Sequence, residues 1–315
     1  ASDGTDTANS SADIEVDADW AGALTFTNCG QTGGSGPSQS QCDSEYSGST
    51  LDGLVTVNAG FQTWTVADNG IYSITVAGAS GGYTPNASGG QGRVITVEVA
   101  LTAGDNLVIT TGQEGSRAEF STGYCGGGGG GTFVINQTTG NSILIAGGGG
   151  GAGQGNSSYN ATLNGVDAPN YNIENGTDGT GYSGSWDSIG TGGSSGAGGT
   201  ANMGGSGGGG YTGNGQEGTY GGNIGTSYSN GALGGANRSL CGSMTVDIPG
   251  GFGGGAGAGV CTSYEANGGG GGGYSGGGGS NTRVGSGGGG GNFYTGVYVS
   301  SSLNTGHGYV IIDKL

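Results

Sequence analysis

Glycine supplies 87 of the 315 residues, against about 7% in ordinary globular chains. No other feature restricts the possible folds as much. Collagen is excluded, because there is no Gly-X-Y period and only 4 residues are Pro. Oligoglycine runs fall at 147–151, 207–210, 268–273, 276–279 and 287–291, with 126–131 as an outlier upstream. Such a chain is either disordered or packed through its backbone. A polyproline II helix has three residues per turn, a rise of about 3.1 Å and no internal hydrogen bonds. Its N–H and C=O groups point outward, and glycine lets neighbouring backbones approach closely enough to pair. Ordering glycine is entropically costly, so only a dense lateral lattice offsets it. With 15 Tyr, 6 Phe and 3 Trp the chain is too aromatic for a simple linker. The sequence therefore predicts an ordered polyglycine II bundle over 147–291. Its Tyr, Trp186, Phe252 and Asn residues are expected on the lattice surface.

Outside the bundle, β-branched and aromatic runs are separated by Gly, Asn or Asp. They predict strands at 23–27, 54–57, 61–66, 71–77, 93–101, 107–111, 132–136, 142–146, 293–300 and 309–313. No helical period is evident. Ten strands suit an all-β, jelly-roll type sandwich, formed by residues 20–146 plus 292–315 with the bundle inserted. Residues 1–19 form an acidic arm. Within the stretch 12–20, Ala12, Ile14, Val16, Ala18 and Trp20 alternate with four acids, the period of a half-buried strand. Such a strand either folds back on its own domain or adds to a neighbour's sheet through Ile14, Val16 and Trp20.

Twenty-two acids against 5 Lys and Arg give a formal charge of −17. That balance disfavours nucleic acid and anionic membranes and suits cations or a basic protein ligand. No apolar stretch is long enough to span a membrane, and the absence of a basic and apolar leader predicts a mature terminus after signal removal. Five cysteines point to an oxidising compartment. Cys29 with Cys42, and Cys241 with Cys261, enclose short loops that suit disulfides, which leaves Cys125 free or bonded to another chain. Zinc is the weaker alternative, since there is no CxxC and only one His. Glycosylation sequons occur at Asn9, Asn86, Asn136, Asn156, Asn160, Asn175 and Asn237. No cofactor is expected; Ca²⁺ is the one candidate ion, at pairs such as Asp3/Asp6 or Asp17/Asp19, with solvated acids the alternative.

Gly-x-Ser-x-Gly, the pattern of a hydrolase nucleophile elbow, occurs at Ser80, Ser194, Ser206 and Ser275. In a chain this rich in Gly and Ser, about two or three such matches arise by chance. His307 is the single candidate base. No catalytic residue is assigned.

A further set of residues carries a resemblance. Phe26-Thr-Asn-Cys29-Gly30, Gly36-Pro37 and Gln41-Cys42 are followed by Gln62-Thr-Trp64-Thr-Val66 and Gly70-Ile-Tyr72. Then come Ala77-Gly-Ala-Ser-Gly-Gly82, Gly112-Gln-Glu-Gly115, Gly251-Phe-Gly-Gly-Gly255 and Gly306-His-Gly-Tyr-Val-Ile-Ile312. In their order, from about residue 24 to 313, these resemble the glycine-rich ectodomain module of the anaplastic lymphoma kinase and leukocyte tyrosine kinase receptor family. The resemblance implies a TNF-like sandwich carrying polyglycine II helices, and places His307 in a structural strand. In those receptors the module helps bind a cytokine; the kinase and its EGF-like cysteines have no counterpart here, so the receptor role does not carry over.

Two functions follow as expectations. The first is an extracellular structural protein, a subunit of a filament or surface assembly held partly by the arm. The second is a secreted or cell-surface adhesin that presents a ligand- or glycan-binding face. A secreted enzyme ranks third.

Overall fold

The computed structural model describes residues 22–117, 124–154, 162–182, 188–236, 248–259, 266–281 and 283–315. The arm at 12–20, with Ile14, Val16 and Trp20, lies outside the described residues, as do Cys241, Cys261 and Trp186.

Two antiparallel sheets are formed by eleven strands. In chain order these are β1 (Leu24–Phe26), β2 (Thr56–Asn58), β3 (Phe61–Thr65), β4 (Gly70–Ala77), β5 (Gly92–Leu101), β6 (Asn106–Thr110), β7 (Thr132–Asn136), β8 (Asn141–Ala146), β9 (Phe293–Tyr294), β10 (Val297–Asn304) and β11 (Tyr309–Lys314). The first sheet runs β1-β11-β4-β5-β10 and the second β9-β8-β7-β6-β3-β2. They face each other across one core. Phe26, Tyr72, Ile74, Val76, Ile95, Val97, Val310 and Ile312 of the first sheet meet Trp64, Leu107, Ile109, Val134 and Leu144 of the second. The chain is thus an all-β sandwich. The expected strand at 293–300 proves to be two strands in different sheets. The chain changes sheet at Thr295-Gly296, where Gly296 takes φ +84°, a conformation that L side chains rarely adopt.

A short helix, α1 (Gln39–Tyr46), corrects the expectation of no helix. Its Ser38 and Gln41 form a reciprocal capping box. One turn apart, Cys42 and Tyr46 face inward. Cys42 bonds to Cys29, and the Tyr46 hydroxyl donates to Gln62 Oε1 at 2.6 Å while accepting the Thr27 N–H at 3.0 Å. The helix is thereby tied to both sheets.

The two sheets differ in what covers them. Strand β4 of the first alternates buried and part-exposed positions, as expected of a sheet with one wet face. All five residues of β7 are buried. Val134 enters the sandwich core, and Phe133 and Ile135 enter a second cluster with Ile145, Tyr211, Tyr228, Tyr274 and Phe293. The second sheet is therefore a middle layer, covered on its far face by aromatic side chains from the glycine segments.

At one end of the sandwich the strands run straight into glycine. β4 continues into Gly78–Gly82 and β8 into Gly147–Gly151, while β7 follows Gly126–Gly131 and β9 follows Gly287–Gly291. The hydrogen bonds of these runs repeat every three residues. Within 268–273, Gly268 and Gly271 donate to Gly285 and Gly288, Gly269 and Gly272 to Gly126 and Gly129, and Gly270 and Gly273 to Ser206 and Gly209. The six distances lie between 2.8 and 3.2 Å. The same run accepts from Gly151 and Gly148, from Ala256 and from Gly277, so it has three neighbours on its donating side and three on its accepting side. Run 147–151 follows the same rule, with Gly148 and Gly151 donating to Gly272 and Gly269. Upstream, Gly126 and Gly129 donate to Ala152 and Gly149, so 126–131 is part of this lattice. Phe252, expected on the lattice surface, is fully buried with its ring edge-on to Phe61 at 6.1 Å.

The spacing of the lattice leaves no room for a side chain. A Cβ on Gly271 would lie 2.8 Å from the Gly149 carbonyl oxygen and closer still to that of Gly148. Gly140, in a β-turn, has φ +74° and open space around it. Gly140→Ala is expected to cost about 1 kcal/mol through backbone strain alone. Gly271→Ala, which must push two backbones apart, is expected to cost about 3 kcal/mol or to prevent folding. Denaturant unfolding of the two variants measures the difference, and equal costs would contradict the packing described.

Candidate functional site

Between the far face of the second sheet and the glycine segments lies an open groove of about 610 Å³. Phe61, Val108 and Ile135 of the sheet form its floor, and Tyr211 and Tyr228 form its wall. Asn58 and Gln137 stand at the rim, and no charged side chain lines it. The wall belongs to a row of rings. Tyr228 stands 5.3 Å edge-on to Phe61 and 5.1 Å from Phe133. Tyr211 stacks on Tyr228 at 5.4 Å and on Tyr274 at 6.2 Å, and Tyr274 stacks on Phe293 at 4.9 Å. The row is held from the lattice side, since Tyr211 N–H donates to Tyr274 O and Tyr228 N–H to Gly210 O. Burial pushes the Tyr228 phenol well above its usual range, with Tyr211 adding to the effect, and burial raises Tyr274 as well.

A second cleft, of about 460 Å³, opens beside the loop 83–89. Ser80 and Glu114 lie in its wall. The Ser80 hydroxyl donates to Glu114 Oε1 at 3.2 Å and accepts the Gly306 N–H at 3.0 Å. His307 Nδ1 accepts the Glu114 N–H at 3.0 Å, which holds the ring as the Nε2–H tautomer. Arg117 lies over the Tyr83 ring at 4.5 Å. Two of the other elbow-like serines also serve the backbone. Ser206 Oγ donates to Gly222 O and accepts the Gly218 N–H, and Ser275 Oγ accepts the Gly196 N–H. Ser194 is exposed. Ser206 and Ser275 thus hold neighbouring backbone within the glycine segments.

The remaining sequence features fall as follows. Cys29 and Cys42 form a disulfide. Cys125 is also disulfide-bonded, which corrects the expectation that it is the leftover cysteine; its partner and the expected Cys241–Cys261 pair lie outside the described residues. Of the sequons, Asn86 and Asn175 are exposed, whereas Asn136 is only 6% exposed and its amide oxygen accepts the Thr139 N–H. Asn9, Asn156, Asn160 and Asn237 lie outside the described residues, as do Asp3, Asp6, Asp17 and Asp19. Among the described residues no group of three His, Cys, Asp or Glu is placed to hold a metal ion. None of the described helices is long and apolar enough to cross a membrane. The groove itself was not legible in the sequence. Its only signal there is Tyr at 211, 228 and 274, each beside a glycine-rich stretch.

Burial of Tyr228 has a consequence for stability. The unfolded phenol releases its proton near pH 10, before the folded one does, so stability is lost as pH rises above that point. Unfolding midpoints should fall between pH 8 and pH 11, and Tyr228→Phe should flatten that fall. An identical fall in wild type and variant would contradict the burial.

No family model matches the chain. It is 38% identical to the leukocyte tyrosine kinase receptor of Mus musculus over 104 residues. That match covers 31% of this chain and 12% of the receptor, so the chain spans only a small part of the receptor's length. The chain therefore resembles part of a receptor tyrosine kinase.

Proposed function

We propose that the chain is an extracellular, non-enzymatic structural module that serves as a subunit of a filament or surface assembly. The observation that carries this reading is the hydrogen bonding between the glycine runs that continue the strands, in which Gly148 donates to Gly272 and Gly272 to Gly129. A body bonded in this way through its backbone resists bending in every direction, which suits a load-bearing unit better than a catalyst that must open and close. In this reading the glycine runs are polyglycine II helices, supported by their three-residue bonding period. The division into a sandwich (20–146 plus 292–315), an inserted bundle (147–291) and an arm (1–19) belongs to the same proposal. An extracellular setting is supported by the Cys29–Cys42 disulfide and by the receptor likeness. Asn86 and Asn175, being exposed, are the described sequons best placed for glycan. Negative-stain microscopy of the purified chain is expected to show regular polymers, and deletion of residues 1–20 to leave single particles. Monodisperse full-length protein would overturn the proposal.

The groove favours a second reading, in which the module is an adhesin. Rings with amides at the rim and no charge suit a neutral, hydroxyl-rich ligand such as a glycan, which offers an apolar face for stacking. Tyr211→Ala should then reduce retention on a neutral glycan array at least tenfold. Undiminished retention would remove the groove from consideration.

A further inference from the structure

The four sheet edges are unequal. β1 presents three residues, β2 three and β9 two, whereas β10 presents eight. Edge strands of soluble proteins are normally blunted by Lys, other charges or Pro, because their outward N–H and C=O groups invite pairing. The β10 sequence, Val-Tyr-Val-Ser-Ser-Ser-Leu-Asn, holds none of these, although the chain carries a net charge of −17. Val297 is 66% exposed, Val299 49% and Leu303 38%. A bulge at Val299 is the single blunting device, and it leaves Ser300–Asn304 in unbroken register with β5. No backbone group of β10 bonds outward to another described segment.

We infer that this edge is the acceptor for residues 12–20 of a second copy of the chain. The inference rests on the assembly reading above and adds the docking site to it. Three considerations select the occupant. The segment alternates over nine residues, so β1, which it precedes, could pair with only three of them, whereas β10 offers a longer partner. The segment cannot reach β10 of its own subunit. β1 and β10 are opposite edges of one sheet, so a strand beyond β10 lies five spacings from β1, or about 24 Å. The four steps from Trp20 to Leu24 span at most about 14 Å. Finally, the four acids of the segment would be repelled by an acidic edge, and β10 is uncharged.

Pairing of this kind joins the β1 side of one copy to the β10 side of the next. The two surfaces differ, so the contact is head-to-tail, and it builds a filament wherever the rotation between copies does not close a ring. The alternative is a reversal at Gly22, whose φ of +106° permits the arm to lie against its own β1.

The test compares three forms of the chain: wild type, a form lacking residues 1–20, and Val299→Lys/Leu303→Lys, which restores charges to two exposed edge positions. Each is checked for native circular dichroism and melting, then for polymer by sedimentation. The inference expects both altered forms to fold and to raise the concentration needed for assembly at least tenfold. A synthetic peptide of residues 12–20 should bind the arm-deleted form and lose at least tenfold in affinity when the two Lys substitutions are added. If arm deletion blocks assembly but the Lys form assembles like wild type and binds the peptide equally, the edge is wrong and the assembly reading survives. If the arm-deleted form polymerises normally, the arm is not the joint between copies and the inference fails, while the assembly reading survives. A full-length monomer whose arm-deleted form leaves the peptide unbound overturns the inference together with the assembly reading.

Discussion

The backbone hydrogen bond between adjacent glycine runs is the interaction on which the rest of the structure depends. In a helix or sheet a residue bonds within its own segment or to two flanking strands. Here successive residues of one run bond to three different neighbours and then repeat, as Gly268, Gly269 and Gly270 do before Gly271 begins the cycle again. The spacing this requires is short enough that a Cβ would fall on a neighbouring carbonyl. Glycine content is therefore a packing requirement and not a sign of flexibility. Each glycine loses more conformational freedom than any other residue would, and what offsets the loss is that almost every amide finds a partner in the interior. The arrangement is cooperative, because no single run can satisfy its N–H and C=O groups without all of its neighbours.

That requirement explains how the lattice and the sandwich fit together. Strands of the two sheets deliver their chains, already aligned and spaced, to one end of the sandwich, where the glycine runs begin. Gly78 donates to Arg93 O and Gly130 to Gln113 O, so the register of the sheets carries over into the register of the lattice. Glycine brings almost no apolar area of its own. Burial of the second sheet's far face therefore falls to the few large side chains in the glycine segments, above all Tyr211, Tyr228 and Tyr274. The groove lies beside these rings, with Tyr211 and Tyr228 in its wall.

The strands were legible because Val, Ile, Phe and Tyr cluster in them and Gly or Asn separates them. In the sequence, 132–136 reads as a strand like the others; its burial on both faces is evident only in the structure. α1 was missed because eight mostly polar residues with only Cys42 and Tyr46 inward carry no period; the readable sign was Ser38 three residues before Gln41, just after Pro37. The break within 293–300 was marked by Gly296, which a continuous strand has no reason to contain. Phe252 was misplaced because an aromatic between glycines looks like a surface residue, whereas the close approach of Gly36 and Gly60 around its ring makes a pocket for it. The groove is assembled from residues far apart in sequence, and no local pattern announces it.

Hydrogen exchange of the glycine amides tests the central claim most directly. If the lateral lattice holds the fold, the amides of Gly268–Gly273 and Gly147–Gly151 should exchange as slowly as those of β4 and β7, and by the same global unfolding event. Exchange of those glycines at the rate of an open chain, while β4 and β7 remain protected, would show that the sandwich stands without the lattice and would contradict the account.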